Sequence, residues 1–179
     1  MSKQEPIKAM EIHGEKKKIV LAGNPNVGKS VFFNSLTGLY VDVSNFPGTT
    51  VDVSHGHFEE YAVIDTPGVY GISSFNDEEK VARDVILTAD LIVNVVDAVH
   101  LERDLFLSLQ VIETGIPTII VLNMMDDAKR EGLKIDLALL EEQLGVPVIP
   151  AVAIKGKGFK YPKEKLTSPR TGNIPLERQ

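Results

Sequence analysis

Apolar positions along the chain fall into two rhythms. Short solid runs at Ile19–Ala22, Leu91–Val96, Pro117–Leu122 and Val146–Pro150 read as strands buried on both faces. Val51–Phe58 alternates apolar and polar residues, as a half-buried strand does, and Tyr61–Ile64 follows as its hairpin partner across Glu59-Glu60. Between these lie helical spacings. Ser30–Leu39 carries Val31, Phe32, Leu36 and Leu39 as anchors, and Asp77–Leu87 opens on Asp77 as N-cap. Leu101–Glu113 is amphipathic, and Asp136–Leu144 precedes the last strand. Tyr40 to Gly48 reads as a loop, with turn chemistry in Asn45-Phe46-Pro47-Gly48. The pattern predicts an α/β fold: about six strands, mostly parallel with one antiparallel, and helices on both faces.

Residues 18–156 form one domain in this reading. Residues 1–17 read as a polar leader with an early Pro6, and 157–179 as an irregular tail or the start of a further domain. Pro162, Pro169 and Pro175 break any helix in that tail. Composition narrows the function classes. At 43% hydrophobic and 25% charged residues, the chain is ordinary for a soluble domain. A net charge of −6 disfavours nucleic acid as the main partner. With no cysteine, disulfides and thiolate metal sites are excluded. No apolar run approaches the roughly 20 residues a membrane helix needs, so the segment reads as soluble and cytoplasmic.

The chemistry starts at Gly23-Asn24-Pro25-Asn26-Val27-Gly28-Lys29-Ser30. This is the phosphate-loop pattern G-x-x-x-x-G-K-[ST], set between a strand and a helix, as the pattern requires. Successive backbone N–H groups cradle phosphate oxygens, and Lys29 supplies charge to the β- and γ-phosphates. The Ser30 hydroxyl is a Mg²⁺ ligand, and the helix starting near Lys29, with Val31 also counted among the nucleotide contacts, turns its positive end to the anion. Asp65-Thr66-Pro67-Gly68 follows a strand end. There Asp65 reaches Mg²⁺, and Gly68 offers an N–H to the γ-phosphate and a pivot when it leaves. In Asn45–Val51, a threonine hydroxyl completes the metal shell; Thr50 is preferred and Thr49 competes. Asn123-Met124-Met125-Asp126 ends another strand. Its Asp126 accepts from guanine N1–H and the 2-amino group, a pairing that discriminates by about 10⁴-fold. Asn123 braces the loop, and Met124 lies on the base.

The order of these four motifs resembles the small GTP-binding domains with the P-loop GTPase (Ras-like) fold. Within them the chain is most similar to the N-terminal G domain of bacterial ferrous-iron transport protein B (FeoB). The likeness rests on Gly23–Ser30, Phe33–Gly38, Asn45–Val51, Asp65–Tyr70, Asp77–Asp84 and Asn123–Asp126, the last with the family's methionine where most relatives carry lysine. It covers roughly residues 17–156. The resemblance implies GTP/GDP as ligand and slow hydrolysis. It also implies a switch regulating ferrous-iron passage through a membrane domain, reached by a helical linker domain, in the bacterial cell membrane. It places Val152, Ala153 and Ile154 at the guanine edge, although only Ala153 keeps the family's Ser-Ala wording. Relatives with an asparagine at the place of Asn26 use a bridging K⁺ in the role of an arginine finger, so Asn26 is a candidate K⁺ ligand. Val69 stands where many GTPases place a water-orienting glutamine and can neither donate nor accept. The catalytic set is therefore Lys29, Asn26, Thr50 and Gly68.

Two rivals stay open at this level. One is a ribosome- or RNA-linked, Era-like GTPase; the other is a GTP/GDP sensor that does not hydrolyse, suggested by Val69 and the altered loop Ala151–Lys155. A homo-oligomer is compatible with either. His55 and His57 share one strand face but have no third ligand nearby in sequence and read as ordinary surface residues.

Overall fold

The strand β1, Lys18–Gly23, carries the phosphate loop and stands in the middle of the sheet, where its run from Ile19 to Gly23 is buried on both sides. The computed structural model of the chain describes residues 16–38, 41–73 and 75–155; the expected leader up to residue 15 and the tail 157–179 lie outside them. After β1 come α1 (Lys29–Thr37), β2 (Asp42–Asn45), β3 (Asp52–Phe58) and β4 (Tyr61–Asp65). Then follow α2 (Asp77–Ile86), β5 (Leu91–Asp97), α3 (Leu101–Glu113), β6 (Thr118–Asn123), α4 (Met125–Arg130), α5 (Leu137–Leu144) and β7 (Val148–Pro150).

Among the described residues these seven strands form one sheet in the order β2-β3-β4-β1-β5-β6-β7. β1 pairs in parallel with β4 and β5, β5 with β6, and β6 with β7. Only β3 runs against its neighbours, antiparallel to both β2 and β4. The chain leaves β1 toward one edge of the sheet and later crosses to the other, so the C-terminal end of β1 is the switch point where open α/β sheets bind ligands.

Strand alternation divides the core. Ile19 and Leu21 point to the side of α1, against Phe32, Phe33 and Leu36. Val20 and Ala22 point the other way, against Val81, Ala82 and Val85 of α2 and Leu107 and Val111 of α3. All seven residues of β5 and all six of β6 are buried. This is why the parallel strands appear in the sequence as solid apolar runs while β3 alternates.

Four expectations need correction. The segment expected as a loop from Tyr40 to Gly48 contains the edge strand β2, so the sheet has seven strands and not about six; all four β2 residues are exposed, leaving no hydrophobic rhythm to read. The first helix is anchored by Phe33 where Val31 was expected; Val31 is exposed, and Leu39 lies outside the described residues. The N-cap of α2 is Asn76 and not Asp77. Its side chain accepts from Glu79 N at 2.8 Å, while the Glu79 carboxylate reaches back to Phe75 N at 3.1 Å, a variant of the reciprocal capping box. The short helix α4 was hidden inside the Asn-x-x-Asp motif, so Asp126 stands on a first helical turn.

The rear of α1 rests on β3 with little room to spare. A Cβ on Gly56 would come within 2.6 Å of Thr37 Cγ2, while Thr37 Oγ1 is held by its bond to Phe33 O at 2.8 Å. Gly56→Ala should therefore cost about 1–3 kcal/mol in urea unfolding. Thr37→Ser, which keeps the hydroxyl and removes the methyl, should recover only part of that loss in a double-mutant cycle, because the added Cβ would still lie 2.7 Å from the Cβ of residue 37.

Candidate functional site

The phosphate loop curls over the end of β1 with Asn26 (φ 63°) and Gly28 (φ 85°) in the left-handed region. Asparagine tolerates that region, but position 28 is closed to other residues on a second ground. A Cβ there would lie 2.3 Å from Asn123 Nδ2. Asn26 and Ser30 are exposed, whereas Lys29 is 7% exposed. Its ammonium donates to the Asp65 carboxylate and to Thr66 O, both at the end of β4. That turn is in turn pinned to β1. Thr66 N and Oγ1 both donate to Leu21 O, at 3.3 and 2.8 Å. Burial pushes the Asp65 carboxyl above its usual range, and the charge and hydrogen bond of Lys29 pull it back.

The loop that follows Asp65-Thr66-Pro67-Gly68 and the loop Asn45–Val51 differ in how firmly they are held. Gly68 lies so close to the phosphate loop that a Cβ would meet Pro25 Cα at 3.0 Å, and Val69 N donates to Gly23 O at 3.1 Å. Val69 itself is buried in the core. Farther on, Ile72 N donates to Gln110 Oε1 at 2.9 Å, and Arg103 sits over the Tyr70 ring at 5.7 Å. In the other segment, Thr49 Oγ1 is committed to a turn, donating to Phe46 O and accepting from Val51 N, while Thr50 is exposed.

Beyond the phosphate loop a cavity of about 310 Å³ opens between Gly28 and Val31 on one side, Met124, Asp126 and Asp127 on another, and Val152 and Ala153 on the third. Buried Asn123 forms its floor. Its Nδ2 donates to Val27 O at 2.9 Å, and its Oδ1 accepts from Ala153 N at 2.9 Å. At the rim, Lys155 Nζ donates to Asp126 Oδ2 at 2.7 Å and holds that carboxyl below its ordinary range. The structure thus brings Asn24–Val31, Asp65 and Gly68 together at the loop, and Asn123, Met124, Asp126, Val152 and Ala153 around the cavity. Nothing is described of the Ile154 side chain. Sequence reasoning missed Thr66, Asp127 and Lys155. Their partners lie far along the chain or on the unrecognised helix α4, and no local pattern marks them.

Fold and site together define a P-loop GTPase-type nucleotide domain. The family model for ferrous iron transport protein B matches residues 17–166, and the chain belongs to that family. Fe(2+) transporter FeoB of Escherichia coli K12 is 42% identical over 156 residues, a match covering 82% of this chain and 20% of that protein. The Shigella flexneri transporter gives the same figures. The chain thus spans about a fifth of the length of these curated relatives. Among solved structures, a mutant of S. thermophilus NFeoB bound to GDP aligns with TM-score 0.80 at 45% identity, covering 83% of this chain and 61% of that one. The G domain of the T. maritima FeoB aligns with TM-score 0.76 at 38% identity, covering 84% and 96%.

The buried Lys29–Asp65 pair generates a prediction for the nucleotide-free protein. Lys29→Met leaves Asp65 buried without its cation and should lower unfolding stability by about 3 kcal/mol at pH 7. A carboxyl whose folded pKa lies above its unfolded value costs stability when ionised in the unfolded state. The loss should therefore shrink as pH falls toward the ordinary carboxylate range, near pH 4. Urea melts across that window, with Lys29→Met/Asp65→Asn largely restored at pH 7, check the sign.

Proposed function

We propose that the chain binds GTP and GDP with Mg²⁺ and hydrolyses GTP slowly, as the nucleotide switch of a longer membrane protein that passes ferrous iron. The observation that carries this reading is the pair of hydrogen bonds made by Asn123, which ties the phosphate loop at Val27 to the cavity wall at Ala153 and makes one continuous groove. A triphosphate at the loop and a purine in the cavity fit that groove. The GDP named with the S. thermophilus relative supports the same ligand class. No helix among the described residues is long and apolar enough to cross a membrane, so passage of iron would belong to other parts of such a protein.

Residue roles follow from chemistry. Lys29 would leave Asp65 for the β- and γ-phosphates, the backbone of Asn24–Gly28 would cradle them, and Gly68 N–H would meet the γ-phosphate. Mg²⁺ fits the donors at hand. Lys29 already spans from the loop to Asp65, so the carboxylate lies at the phosphate end of the groove, and the hydroxyls of Ser30 and Thr50 are exposed. These are hard oxygen ligands, and no group of three His, Cys, Asp or Glu side chains forms a separate metal cage among the described residues. That suits an ion that takes few protein ligands and completes its shell with phosphate and water. When bound, it would neutralise charge on the β- and γ-oxygens. Asp126 selects guanine, with Met124, Val152, Ala153 and Ile154 around the base. Because Val69 is buried and apolar, charge developing in the transition state must be met elsewhere, and exposed Asn26 is the candidate holder of a K⁺ ion for that purpose.

Single-turnover hydrolysis in potassium and in sodium tests this. In sodium the rate should be on the order of 10⁻⁴ to 10⁻² per second. Potassium should raise it by about tenfold to a hundredfold, and Asn26→Ala should abolish the difference while still binding GDP. Equal rates in both salts remove the potassium role, and no phosphate release in either leaves a GTP/GDP sensor.

A further inference from the structure

We propose that Lys155 sets guanine-nucleotide affinity by strapping the base cavity across its mouth. This rests on the guanine-site reading above. Asp126 stands on the α4 wall of the cavity, and Lys155 follows Val152 and Ala153 on the opposite wall, so the 2.7 Å contact between them joins the two sides. The floor is already joined by the bond from Ala153 N to Asn123 Oδ1 at 2.9 Å. With floor and rim both tied, the carboxylate that would recognise guanine is engaged by an internal cation before any base arrives.

A guanine edge that presents N1–H and the 2-amino group to Asp126 needs both carboxylate oxygens, and the ammonium occupies one of them. The base and the strap therefore compete for the same group. The two tethers differ in strength. Asn123 is buried and its bonds persist, whereas the Lys155 and Asp126 side chains are 56% and 30% exposed. An ion pair that open to water favours its closed form by only about two- to fivefold. The strap thus opens readily, and only the open fraction admits a base. Apparent affinity and association rate are reduced by that fraction. Once the base is seated the strap is already broken, so dissociation is not slowed or hastened by it.

Stopped-flow binding of a ribose-labelled fluorescent GDP tests this. The proteins compared are wild type, Lys155→Met, which keeps the apolar stem, and Lys155→Arg, which keeps the charge. At about 0.05 M salt, Lys155→Met should associate about three- to sixfold faster and bind tighter by the same factor, with unchanged dissociation. The gap should close as salt rises to about 0.5 M and screens the exposed pair. Lys155→Arg should behave as wild type. Inorganic pyrophosphate, which carries no base, should bind wild type and Lys155→Met alike. An association rate for Lys155→Met that is unchanged or slower overturns the proposal, as does a gap that ignores salt or appears equally for pyrophosphate. Asp126→Asn separates this from the underlying reading. It should lose GDP affinity by at least about a hundredfold; if it binds GDP as wild type does, the base site is elsewhere and the strap falls with it.

Discussion

Asn123 ends β6 with its side chain buried, and a buried carboxamide must find partners at both ends or cost about 1–3 kcal/mol for each group left bare. It finds them in two loops that are distant along the chain, accepting from Ala153 N and donating to Val27 O, each at 2.9 Å. The phosphate loop, the end of β6 and the loop after β7 are thereby fixed relative to one another without a ligand. Gly28 completes the constraint, because any Cβ at that position would collide with the same carboxamide. Distance between phosphate site and base cavity is therefore a property of the protein, which is what selecting a whole nucleotide requires.

Around that fixed frame, two ion pairs hold carboxylates that the proposed reading assigns to the ligand. Lys29 sits on Asp65, and Lys155 sits on Asp126. In each case a carboxylate assigned to metal or base is held by a cation of the protein itself. On the proposed reading, phosphate and metal charges would replace the inner contact and the neutral N–H donors of guanine the outer one, so binding would exchange partners more than create them. The two exchanges differ in weight. Lys29 and Asp65 are nearly buried, and leaving either unpaired is costly. The outer pair is open to water and worth little. On the proposed reading, the phosphate end would govern whether the site fills, and the base end would adjust how easily.

How far the sequence could be read follows the same physical divide. The parallel strands β1, β5 and β6 were legible because burial on both faces demands solid apolar runs, and the phosphate loop because its backbone curl demands glycine and lysine at fixed spacing. β2 was not, since an exposed edge strand is specified by its hydrogen-bonded neighbour β3 and leaves no apolar rhythm. The helix α4 was masked by the motif it contains, and the Asn76 cap differs from the expected Asp77 because any of these short polar side chains can cap; geometry alone selects between them. Lys155 pairs with a residue 29 positions away, a contact set by how β6 and β7 align.

The loop from Gly68 to the start of α2 shows how a local rule becomes a constraint on the site. At its start, Gly68 packs on Pro25, and Val69 is anchored twice, by its N–H on Gly23 O and by its side chain in the core. A few residues on, the Ile72 N–H is taken by Gln110, and Tyr70 lies under Arg103, whose Nε also donates to buried Asp104 at 2.9 Å. At its end Asn76 and Glu79 cap α2. A γ-phosphate drawing Gly68 inward would pull against the core packing of Val69 first, and through Tyr70 and Ile72 against α3 next. Removing Val69 from the surface thus does two things at once. On the proposed reading it would deny the site a polar side chain near the attacking water, and it gives the loop a hydrophobic foot packed with residues of α2 and α3.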